Sequence, residues 1–180
     1  MHAASAVALA LALVGSACSS GVDGGSASAG ATTPSTTSAT AGTTASSATA
    51  ADAEVLAAYR AFWDAYLVAA DPMDPEHPAL VAHATGEQLE TVQKAFLARK
   101  VGGEVIRGTL DLAPRVVSVV DERATVRDCY LDNSGVYDAA GTRKDTASGV
   151  RHLITASLVW EGGAWKVSDL QKEGDGCTAA

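Results

Sequence analysis

From residue 52 onward the chain switches between two hydrophobic periods. Val55, Tyr59, Phe62, Tyr66 and Ala69 or Ala70 recur at three- and four-residue steps, and Leu56, Trp63 and Leu67 widen the stripe. That spacing predicts an amphipathic helix, with Asp52 as its N-cap. Pro72, Pro75 and Pro78 exclude continuous helix and predict a stiff solvated turn. Pro78 to Ala84 reads as a short second helix. Thr85 and Gln88 have capping-box spacing and open a third, which buries Leu89, Val92, Phe96 and Leu97 and ends at Gly102-Gly103.

After Gly103 the period becomes two. Glu104 to Leu112 predicts a first strand and Arg115 to Val120 a second, with a tight turn at Asp121-Glu122. The next strand, Arg123 to Tyr130, shows Ala124, Val126, Asp128 and Tyr130 on one face and Arg123, Thr125, Arg127 and Cys129 on the other. A polar loop from Asp132 to Asp145 leads to a long strand with His152, Ile154, Ala156, Leu158 and Trp160 on one face. Gly162-Gly163 is a two-residue hairpin signal that sets Trp160 opposite Trp165, Leu158 opposite Val167 and Asp169 opposite Ala156. Helices followed by a run of antiparallel strands make an α+β domain.

The first fifty residues have another character. Their one charged side chain is Asp23, so the formal charge of −8 for the 180-residue chain leaves −7 on the remainder. An acidic domain repels phosphate backbones, which argues against a nucleic-acid partner. Ala6 to Val14 is a nine-residue apolar block, too short for a bilayer-spanning helix but suited to a secretory signal. Leu13 to Cys18 resembles a bacterial lipobox, with Gly15 where an aliphatic residue is usual. Cys18 would then carry the lipid, and signal cleavage after Ala17 without lipid is the alternative. Residues 1–17 thus read as signal peptide, 18–50 as a disordered Ser/Thr/Ala/Gly tether and 51–180 as the folded domain. With Cys18 modified, Cys129 and Cys177 remain to pair in an oxidising compartment.

The element order resembles the nuclear-transport-factor-2-like superfamily. So do the helix with Tyr59, Phe62 and Trp63, the hairpin from Trp160 to Val167 and the closing Ser168-Asp169. Within it the chain is most similar to uncharacterised actinobacterial lipoproteins. The resemblance covers residues 52–177 and implies a cone-shaped, cystatin-like fold, its N-terminal helices packed on a strongly curved antiparallel sheet. It points to the concave face, where Tyr59, Trp63, Tyr66, Asp128, Tyr130, His152 and Asp169 are the candidate pocket residues. Members of the superfamily also dimerise through the convex face, here through Leu153, Val159 and neighbours.

No Ser-His-Asp order, phosphate-binding Gly loop, zinc spacing or dinucleotide fingerprint occurs, so no catalytic set, metal or cofactor is expected. The expected function is non-enzymatic: a lipid-anchored envelope domain that binds a small apolar ligand or an envelope protein. The alternative is a pocket isomerase, dehydratase or hydrolase using Asp128 with His152 or a tyrosine.

Overall fold

A computed structural model describes residues 42–146 and 149–179. The signal segment, Cys18 and most of the expected tether lie outside the described residues. Among the described residues three helices come first: α1 (Gly42–Ala69), α2 (Pro78–His83) and α3 (Gly86–Val101). Seven strands follow: β1 (Val105–Arg107), β2 (Leu110–Asp111), β3 (Pro114–Val120), β4 (Arg123–Asp132), β5 (Gly135–Tyr137), β6 (Val150–Glu161) and β7 (Ala164–Asp175).

Helix α1 starts ten residues before Asp52, which therefore occupies a helix interior instead of a cap. Residues 42–50, read from composition as tether, are helical. Ala45, Ala48 and Ala50 supply the propensity, and extending a nucleated helix is far easier than starting one. The buried stripe is the expected one: Val55, Tyr59, Phe62, Trp63, Ala69 and Ala70 all belong to the core.

The proline turn holds a cis Asp71-Pro72 bond. His77 then caps α2, its Nδ1 accepting from the Ala79 amide at 3.2 Å. The capping box at α3 is not formed. Thr85 is the N-cap by position, but its hydroxyl donates to Glu161 at 3.0 Å and its amide to the Val167 carbonyl at 2.9 Å. Those bonds tie the α2–α3 junction to the end of β6 and to β7, which among the described residues is an edge strand with one flank unpaired by any other strand. Helix α3 buries Val92 and Phe96 as expected, with Gln88 beside them, whereas Leu97 is 55% exposed.

The main sheet is antiparallel and open, in the order β2-β4-β6-β7 with β3 also paired to β4. The single strand expected over Glu104–Leu112 is two, in different sheets: β1 pairs with β5, and β2 with β4. Gly108 separates them at φ 132°, and a Cβ there would lie 2.4 Å from the Asn133 carbonyl oxygen. Inward-facing Ala124, Val126, Ile154, Ala156, Leu158, Trp165 and Val167 meet α1, Leu80 of α2 and Val92 and Phe96 of α3 in one core. Full burial of Phe62 and Phe96 contributes roughly 2–3 kcal/mol each.

Gly162 and Gly163, both at positive φ, make the expected hairpin, with Trp160 opposite Trp165 and Leu158 opposite Val167. Beyond that point the register slips. Ser168 is an extra residue whose hydroxyl donates to the Ser157 carbonyl at 3.1 Å. As a result Asp169 pairs with Ser157, and Leu170 takes the place opposite Ala156. A bulge reverses the faces of the residues after it until the next one, which falls at Glu173. Asp169 is therefore removed from the inward face and Leu170 packs against the core.

Candidate functional site

The inward ends of α1, β4 and β6 bring five of the expected residues into one aromatic chain. Trp63 contacts Tyr59, Tyr66 and Tyr130 at centroid distances of 6.4, 5.6 and 5.3 Å, and Tyr130 contacts His152 at 5.3 Å. Such tilted and edge-on pairs add to the burial of their area. Tyr59 is fully buried and Trp63 is 9% exposed, so this part of the inward face is filled by its own side chains.

Asp128 lies at the dry end of that chain, 1% exposed. Its Oδ2 accepts from the Tyr59 hydroxyl at 2.9 Å and its Oδ1 from the Ala113 amide at 2.8 Å. Burial raises the Asp128 carboxyl above the usual carboxylate range, against the Ala113 amide, the Tyr59 hydroxyl and the charge of Arg60. Burial, then the neighbouring Asp128, pushes Tyr59 far above an ordinary phenol. Tyr130 and Tyr66 are raised as well, with burial again the first cause. Tyr59 is thus a neutral donor, and both Asp128 oxygens are occupied.

At the other end of the aromatic chain His152 also belongs to a wetter, polar cluster. Its Nδ1 pairs with Asp175 at 2.5 Å and its Nε2 lies 4.0 Å from Asp132. Lys172 holds Asp175 from the other side at 2.8 Å. Lys172 first, and then His152, keep the Asp175 carboxyl below its ordinary range. On the strands Asp128 is opposite Ile154, whereas His152 is opposite Tyr130. Among the described residues no hydrogen bond or ion pair joins Asp128 to His152.

A more open feature sits at the hairpin end, where the sequence had offered only a stacked pair of tryptophans. Trp160 and Trp165 make an edge-on contact at 5.6 Å, with Trp165 buried and Trp160 40% exposed. Around them Ala57, Ala58, Ala61 and Ala164 line a depression of about 430 Å³, with Glu54 and His83 at its rim. Trp160 also borders a second depression of about 690 Å³, lined by Val120, Asp121, Glu122, Arg123 and Val159. The Trp160 amide donates to the Glu122 carbonyl at 2.9 Å, which ties the two hairpins together. The sequence signal was available in the small residues Ala57, Ala58 and Ala61 on one flank of α1. Periodicity alone discounted them because they lie off the large apolar stripe.

Cys129 and Cys177 form the expected bridge, with Cα atoms 5.9 Å apart. Such a bond belongs to an oxidising, extracytoplasmic environment. Among the described residues no helix is long and apolar enough to cross a membrane. No protein-family model and no curated protein matches the chain. Among solved structures it is similar to the crystal structure of the intermembrane space region of chloroplast protein ARC6. The TM-score is 0.50 at 16% identity, covering 64% of this chain and 90% of that chain. At that identity the likeness is one of fold.

Proposed function

We infer that the chain is an exported, non-enzymatic cell-envelope domain, lipid-anchored at Cys18, that binds a small apolar ligand at the Trp160–Trp165 end of the sheet. The lipobox-like Leu13 to Cys18 and the Ser/Thr/Gly-rich stretch after it support the anchor. The cone-shaped fold of the nuclear-transport-factor-2-like superfamily stays part of this reading, on the strength of the hairpin from Trp160 to Val167 and the element order. One observation carries the ligand site. A large aromatic ring stands exposed over a floor of alanine side chains, in a depression large enough for a small molecule.

The enzyme alternative has less support, because both Asp128 oxygens are held by Tyr59 and Ala113 and His152 is engaged by Asp175. An envelope protein as partner, or a second copy on the convex face, fits the same chain less closely. That face carries the Arg127–Glu173 ion pair and Thr155 along with Leu153 and Val159.

Two measurements test the reading. Titration with the uncharged fluorophore N-phenyl-1-naphthylamine should give saturable enhancement that Trp160→Ala weakens at least tenfold. Equal binding by the variant, or no saturation in the parent chain, would contradict the site. Cells fed a labelled fatty acid should mark the parent chain and leave Cys18→Ala unmarked, and equal labelling of both would remove the anchor.

A further inference from the structure

On the outward face of the sheet the disulfide roofs a smaller depression. It has a volume of about 240 Å³ and is lined by Arg115, Arg127, Leu153, Thr178 and the two bridged cysteines, with Ala113 and the Asp128 carboxyl, which is held by Tyr59 and the Ala113 amide, at its inner side. Arg115 of β3 and Arg127 of β4 are directly opposed in the antiparallel register. Like charges in that position repel, and proteins seldom place them so without a counter-charge. In a domain whose excess charge is acidic, the pairing is all the more unusual.

Among the described residues one carboxylate is ion-paired with the two arginines, and it serves one of them. Arg127 donates from Nη2 to Glu173 at 2.7 Å, while Glu173 also accepts from Thr155. The Nε of Arg127 is buried without an acceptor. Arg115 is exposed, and among the described residues it has no ion-pair partner. The Arg115 guanidinium and the Arg127 Nε therefore stay open beside a cavity whose own acid, Asp128, has both oxygens taken by Tyr59 and the Ala113 amide, with Thr178 also in the lining. Guanidinium forks match oxyanions in shape as well as charge.

We propose that this depression binds a phosphate group between Arg115 and Arg127, with Thr178 held at its rim by the Cys129–Cys177 bridge. A phosphate group fits the volume with room to spare, and its negative charge relieves the repulsion across β3 and β4. The group comes either from free phosphate or from the phosphodiester of a lipid headgroup, and the chemistry of the site is common to both. This site lies on the opposite face of the sheet from the Trp160 depression and stands or falls independently of it.

The test uses the full chain carrying Cys18→Ala, so that no lipid of its own is present, together with Arg115→Gln and the charge-matched control Lys100→Gln. Inorganic phosphate, compared with chloride at equal ionic strength, should raise the melting temperature of the parent and of Lys100→Gln. In Arg115→Gln the affinity should fall at least tenfold. Co-sedimentation with phosphatidylglycerol vesicles, and not with phosphatidylcholine vesicles, that Arg115→Gln abolishes would support the site with a lipid as the source. A phosphate effect without vesicle binding would support it with the free anion as the source. The proposal is overturned if neither probe acts on the parent, or if Arg115→Gln and Lys100→Gln respond alike, which would indicate diffuse electrostatics.

Discussion

Asp128 and Tyr59 face each other in the core, and the pair behaves as a structural hydrogen bond with a titratable end. Because burial raises the Asp128 carboxyl in the folded state, the folded protein holds that proton more tightly than the unfolded chain does. Its contribution to stability is therefore greatest below the unfolded value, about 4, and declines as pH rises through the folded value. Asp128→Asn removes this titration, so relative to the variant the parent should gain stability as pH falls from 7 toward 4. Melting curves of both proteins across that range check this, and parallel pH profiles would contradict it. The half-buried Asp145 and the exposed Glu173 and Asp175 are carboxylates shifted the other way, chiefly by Arg143, Thr155 and Lys172 respectively. They lose stability on acidification in parent and variant alike, so the comparison cancels them. At this scale the alternation of β4 put Asp128 inward and Cys129 outward from sequence alone. Its partners were not legible, because the Ala113 amide reaches it across a hairpin and no local pattern encodes such a bond.

At the scale of elements, the hairpins were the most legible part. Gly162-Gly163 and the alternation on either side fixed the Trp160–Trp165 pairing. Periodicity was blind to one-residue insertions, which fall at Val117, Ser168 and Glu173, and two departures show how local backbone events override it. Ser168 displaces Asp169 by a bulge, and Gly108 divides a continuous apolar-alternating run into β1 and β2. Gly108 has no substitute, since its φ of 132° is a glycine conformation and the Asn133 carbonyl oxygen occupies the place of a side chain. Gly108→Ala should accordingly cost about 3 kcal/mol or more. Gly162→Ala, in the left-handed region with nothing within 4 Å of its Cβ, should cost about 1–2 kcal/mol. Urea unfolding of the two variants gives the comparison. Equal losses would mean that the close approach at Asn133 yields readily.

Across the whole molecule, the α+β class, the order of helices before strands and the Cys129–Cys177 bridge were all readable before any coordinates. The start of α1 was not. Composition marks Ala/Ser/Thr-rich residues as tether, yet once a helix is nucleated downstream the same alanines extend it to Gly42. The candidate site shows the sharper division. Sequence placed Tyr59, Trp63, Tyr66, Tyr130 and His152 on one inward face, and they do touch in a chain. Whether a face is filled or hollow depends on how side-chain volumes meet across elements, which a linear pattern does not carry. The filled inward face and the exposed Trp160 therefore shift the proposed ligand site from the middle of the sheet to its hairpin end.

The three tryptophans report on that choice directly. Trp63 lies in the inward aromatic chain, whereas Trp160 and Trp165 line the open depression. Indole N–H resonances of the nitrogen-15-labelled chain, followed during titration with N-phenyl-1-naphthylamine, separate the two places in one experiment. Binding at the hairpin end predicts progressive, saturable shifts for Trp160 and Trp165 with Trp63 unmoved. A shift of Trp63 with Trp160 unmoved would place the ligand inside the sheet and contradict the account.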